Sequence, residues 1–146
     1  MPEASGRGVA GAQAAYYTIT GVWPLVHRRS FEAVTGPKQD YWLVETVGAL
    51  VTSAGLALAS GARRGRTTTE LRLLGVASAL ALAGADIRHV ASGRIRHVYL
   101  ADAGVELILA ACWAWAAANR RAQHRRSRNE LGSRQRPARR LSTFAS

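Results

Sequence analysis

The sequence predicts an all-α protein: a four-helix transmembrane bundle with both termini cytoplasmic and a disordered, arginine-rich C-terminal tail. Three observations carry that expectation. The apolar residues are gathered into four blocks separated by charge. The blocks carry no polar stripe, and a helix apolar all round belongs in a large core or a membrane. The charges sort by side when the four blocks are counted as spans. The bulk composition conceals this, since 48% hydrophobic residues and a mean hydropathy of −0.06 over 146 residues read as soluble. A chain this short cannot bury four apolar helices centrally, because small domains leave much of their surface exposed. The single cysteine, Cys112, excludes an intrachain disulfide, a CxxC redox pair and a cysteine-based zinc site.

The first block, residues 8–26, has 19 residues without a charge. A spanning helix needs about 20 mostly apolar residues, so a first span is expected over about 8–27. Its charged start is weak, with Glu3 and Arg7, and no small-residue cleavage site follows it. It therefore reads as a span rather than a signal peptide, and the Arg28-Arg29 pair as a chance match to an export signal. Trp23-Pro24 before His27-Arg28-Arg29 reads as a helix end at an interface. The second span is expected over 41–61, with Glu45 about one turn in. Gly48, Thr52 and Gly55 fall on one of its faces, where small residues let backbones approach in lipid. The third, over 70–90, contains a 13-residue uncharged run, 73–85, whose polar side chain is Ser78. The fourth, over 98–119, carries Asp102 and Glu106 inside it. Three domains follow: a short cytoplasmic segment (1–7), the transmembrane domain (8–119) and a basic tail (120–146).

Positive residues stay cytoplasmic. The N-terminus, the 61–72 loop and the tail together hold 14 bases and three acids, a net +11. The opposite side holds six of each: Arg28, Arg29, Lys38, Arg88, Arg94 and Arg96 against Glu32, Asp40, Glu45, Asp86, Asp102 and Glu106. The expected location is the inner (plasma) membrane with both termini inside. In the tail, Asn119 to Arg128 extends the last helix, and Gly132 and Pro137 are expected to end order soon after. Arg120, Arg121, Arg125 and Arg126 lie just beyond the last span, where basic clusters meet anionic lipid head groups. The partners expected are the lipid bilayer, those head groups, and a second copy or another membrane protein. No specific nucleic acid is expected, because no aromatics interleave the bases and Phe144 stands alone.

The outer side holds the candidate site: His27, Arg28, Glu45, Asp86, Arg88, Asp102 and Glu106. Asp102 and Glu106 are four apart and share a helix face. Intramembrane carboxylates usually face the bundle interior and are costly unpaired, so arginines 28, 29, 88, 94 and 96 are the candidate counter-charges. Tyr16, Thr20, Trp23 and His27 lie along one face of the first helix and could complete a pocket. Several readings stay open: structural ion pairs; a pocket for a polar ligand or lipid head group; a metal site using His27, His89 and His97, unsupported by any ligand spacing; a membrane enzyme; or a proton-coupled transporter, which would need a polar path through the inner half, where none of the four blocks carries an ionisable residue. A soluble basic nucleic-acid-binding helical protein is the distant alternative. No cofactor and no metal are expected, and Cys112 beside Trp113 reads as packing.

Residues 20–50 carry Trp23-Pro24-Leu25, Ser30-Phe31-Glu32, Thr35-Gly36 and Trp42-Leu43-Val44, and the fourth block opens Val98-Tyr99-Leu100-Ala101-Asp102. In these stretches, about a third of the chain, the sequence resembles small uncharacterised bacterial four-helix integral membrane proteins. The resemblance implies a polytopic membrane protein and brings no established activity. Phe31 to Asp40, with Tyr41 and Trp42, is expected to lie as a short re-entrant or interfacial segment.

Overall fold

The computed structural model describes residues 2–141, with side chains for 6–123 and 125–128. Those residues are helical, with no strand among them. In order they form α1 (Pro2–Val26), α2 (Arg28–Thr35), α3 (Tyr41–Arg63), α4 (Thr69–Ala91) and α5 (Tyr99–Leu141). Three helices are long and apolar enough to cross a membrane: α3, α4 and the Tyr99–Arg128 part of α5. α1 falls short of that apolarity. Its block lacks charge but carries Gln13, Tyr16, Tyr17, Thr18 and Thr20, and an uncharged stretch need not be an apolar one.

Two further differences from expectation concern helix ends. The 27–40 connection contains α2, capped at its start by His27, whose Nδ1 accepts from the Ser30 N–H at 3.2 Å. At its end the Gly36 N–H bonds the Glu32 carbonyl at φ +88°, a conformation glycine adopts without steric cost. The tail was expected to be disordered. Instead α5 runs unbroken through Gly132 and Pro137 to Leu141. Arg, Ala, Gln and Glu are strong helix formers, and a helix polar on all sides can continue in water. Pro137 removes one N–H from the ladder without stopping it here. The tail beyond residue 141 lies outside the described residues.

The packing starts from glycine. α1 lies closest to α3, and Gly21 and Gly48 face each other there. A Cβ on Gly48 would come within 2.7 Å of the Gly21 carbonyl oxygen, and one on Gly55 within 2.8 Å of Thr18 Oγ1. The Gly48/Thr52/Gly55 face thus does what its spacing suggested. α4 packs chiefly on α5, α1 joins the two pairs through α5, and α3 meets α4 more sparingly. The buried core is small: Ala10, Ala14, Tyr17, Leu58 and Trp113. Large apolar side chains such as Leu50, Leu73, Leu80, Ile108 and Trp115 face outward, an arrangement suited to lipid as solvent.

Candidate functional site

The site is assembled from α1, α4 and α5. The i, i+4 spacing on α5 puts Asp102 and Glu106 on one face, and that face turns inward: Glu106 is 1% exposed. α4 runs antiparallel to α5 and brings Asp86, near its own C-terminal end, beside Asp102. α1 supplies the phenols. Tyr16 Oη donates to Asp102 Oδ1. Tyr17 Oη lies 3.0 Å from Glu106 Oε2 and 3.2 Å from Ser78 Oγ. Asp86 Oδ2 is buried and has no hydrogen-bond partner among the protein's donors.

A second buried group lies inward of the acids. Gln13 is 0% exposed. Its Nε2 donates to the Gly75 carbonyl at 2.8 Å, and its Oε1 accepts from Trp113 Nε1 at 2.7 Å. Three helices are thereby tied by one carboxamide. The same contacts fix α1 antiparallel to α5, because Tyr16 meets Asp102 and Gln13 meets Trp113.

The remaining sequence-derived residues are distributed elsewhere. Among the described residues no arginine pairs with Asp86, Asp102 or Glu106; the ion pair found is Arg28 with Glu32, Nε to Oε2 at 3.1 Å. Arg28 also lies over the Tyr41 ring, 4.1 Å from its centroid. Arg88 and Glu45 are exposed. His27 is spent capping α2, His89 Nδ1 contacts the Ala85 carbonyl at 2.7 Å, and His97 is exposed. The three histidines therefore do not gather with the acids. Trp23 Nε1 donates to Ser30 Oγ at 2.7 Å, and Thr20 Oγ1 to the Tyr16 carbonyl at 2.8 Å. Of the proposed α1 face, only Tyr16 reaches a carboxylate. Arg121, Arg125 and Arg126 are exposed where α5 leaves its apolar part, whereas Arg120 turns toward Gly6 and Thr67.

The end of the bundle around α2 has its own electrostatics. The Arg28 guanidinium, and then the Lys38 backbone N–H at 3.2 Å, hold the Glu32 carboxyl below the usual carboxylate range. Glu32 in turn raises the Arg28 pKa. Lys38 Nζ sits 5.0 Å from the Tyr99 ring centroid, and Arg96 Nη1 reaches the Ala33 carbonyl at 3.5 Å. These contacts engage Arg28, Lys38 and Arg96 around α2 and the start of α5, away from the acids.

Tyr17, Ser78, Gln13 and Trp113 belong to the site but not to the sequence-derived set. A signal was present: Gln13 and Tyr17 are four apart and flanked by Ala10, Ala14 and Gly21, a small-and-polar stripe along α1. Set against known proteins, the chain matches no family model, no curated protein and no solved structure, so its function rests on this geometry.

Proposed function

We propose that the protein is a four-span membrane protein of the inner membrane, with both termini cytoplasmic, that takes up and releases protons at Asp86, Asp102 and Glu106 in proton-coupled transport. The observation that carries this reading is three neighbouring carboxyls met by phenols and no base. In an apolar setting each carboxylate charge needs a base, a bound cation or a proton. Two neighbouring carboxylates repel, and a proton on one removes that repulsion and supplies an O–H that the other can accept. The phenols of Tyr16 and Tyr17, which donate to Asp102 and Glu106, suit carboxyls that gain and lose a proton. Acids inside membrane helices commonly mark proton pathways.

α1 is the fourth span in this reading. Gln13, Tyr16 and Tyr17 are turned onto α4 and α5 and satisfied there, and Thr20 bonds the Tyr16 carbonyl, which lowers their cost in lipid. The +11 net charge of the side holding the termini supports a cytoplasmic assignment for that side. The resemblance of residues 20–50 to small bacterial four-helix membrane proteins agrees with it. Arg121, Arg125 and Arg126, exposed beyond the apolar part of α5, are placed to meet anionic head groups.

The test is infrared spectroscopy of the protein reconstituted in lipid, followed across pH. A protonated-carboxyl band should appear and titrate, and should shrink in both Asp102→Asn and Glu106→Gln. Identical titrations in wild type and both variants would overturn the reading.

A further inference from the structure

We propose that Gln13, Gly75 and Trp113 form the inner gate of this acid site, closed in the present structure so that protons exchange with the outer side only; the inference rests on the proton-binding reading above. The groups able to relay a proton run inward from the acids. Asp86 and Asp102 meet Tyr16, and Glu106 meets Tyr17, whose hydroxyl also reaches Ser78. Tyr17 then neighbours Gln13, and there the relay stops. A carboxamide passes a proton only by way of its imidic acid form, and Gln13 is held in place at each end, by the Gly75 carbonyl and the Trp113 N–H.

Inward of that point the α1 face is Ala10, buried against an apolar cluster that includes Leu58 and Trp113, with Val9 and Leu71 packed on it. Trp113 lies eleven residues along α5 from Asp102, about 16 Å at the helical rise. That is roughly half the hydrocarbon thickness, so the stop falls near the middle of the membrane.

The geometry of the stop is that of a joint. Gly75 admits it: a Cβ there would sit 2.7 Å from Trp113 Nε1 and 2.8 Å from Gln13 Oε1. α4 is held to α1 by very little else, since its packing is chiefly with α5. Releasing the Gln13–Gly75 bond therefore frees α4 to part from α1 below Tyr17, while α5 stays packed on α1 through Trp113. The same step would uncover Glu106 and Tyr17 toward the cytoplasmic side.

The test uses the full chain in vesicles of phosphatidylcholine and phosphatidylglycerol enclosing a fluorescent pH indicator, with a potassium diffusion potential driving protons. Gln13→Met keeps the volume and removes the amide, and Trp113→Phe removes the N–H. Each should acidify the lumen on the order of tenfold faster than wild type, and adding Glu106→Gln to either should abolish the gain. Rates equal to wild type in both folded single variants would overturn the gate. So would a leak that survives Glu106→Gln, since it would not pass through the site. Neither outcome touches the proton-binding reading, which stands or falls on the infrared band.

Discussion

Glu32 accepts from the Arg28 guanidinium, at 3.1 and 3.4 Å, and from the Lys38 N–H, and these donors lower its pKa. A carboxyl lowered by folding lends stability above its unfolded pKa and loses it as pH falls through the folded value. The ordinary glutamate pKa is about 4.3, so the order of α2 should hold at neutral pH and loosen below that figure. Amide hydrogen exchange of residues 28–35 should report the change, and Glu32→Gln should flatten it. A Glu32 that titrates by NMR at the unperturbed value would refute this. The Arg28–Glu32 spacing also explains what the sequence left hidden at this scale. It is itself an i, i+4 pair, and a base four residues from an acid on its own helix is used locally first. The Asp102–Glu106 spacing was legible for the same reason, as a property of one helix. Tyr17, Ser78, Gln13 and Trp113 meet across gaps of 61 to 100 residues, and no spacing along a chain encodes those meetings.

Close approach decides the fit of the elements. α1 and α3 touch through Gly21, Gly48 and Gly55, where an added side chain meets backbone atoms and, at Gly21 and Gly55, a threonine hydroxyl as well. Gly48→Leu should separate the pair and cost on the order of 1–3 kcal/mol, as overpacking does, visible as a lower unfolding temperature in detergent. Gly104, with nothing within 4 Å of an added Cβ, is the control: Gly104→Ala should be neutral or stabilising, because alanine is the better helix former. Equal losses in both would show that backbone flexibility, not contact, is what the glycines supply. The Gly48/Thr52/Gly55 face was readable because its period matches the helix. α2 was not, since eight residues mixing Arg, Ser, Glu and Phe show one short polar-and-aromatic face and no apolar run. The far part of α5 was misread because Gly132 and Pro137 were weighed as breakers against a surrounding sequence of good helix formers.

The whole molecule is organised by charge as well as by packing. The Gly6–Thr67–Arg120 contact puts the start of α1, the α3–α4 turn and the exit of α5 at one end. α2 and the Ser92–Val98 loop mark the other, joined by the Arg96–Ala33 bond. With 14 bases at the first end and a balance of zero at the second, alkaline phosphatase fused after Ser146 should be inactive and one inserted near Thr35 active. The opposite pattern would reverse the proposed orientation and, with it, the side on which the acids open.

The partners of α1 also set the order in which the chain can be assembled. In the four-span arrangement α1 leaves the ribosome before α3, α4 and α5 and lacks their long apolar run. Gln13 waits 62 residues for Gly75 and 100 for Trp113, and Tyr17 waits 89 for Glu106. At about 5–20 residues per second, that is several seconds with a carboxamide and a phenol still unmatched. α3 arrives in the interval and covers a different face of α1, the glycine one. Early stabilisation of α1 thus comes from backbone contact with its immediate successor, and its polar face is closed only when the last helix has been made. The acid site then forms after the α1–α3 contact, and it cannot exist in a nascent chain that stops short of Glu106.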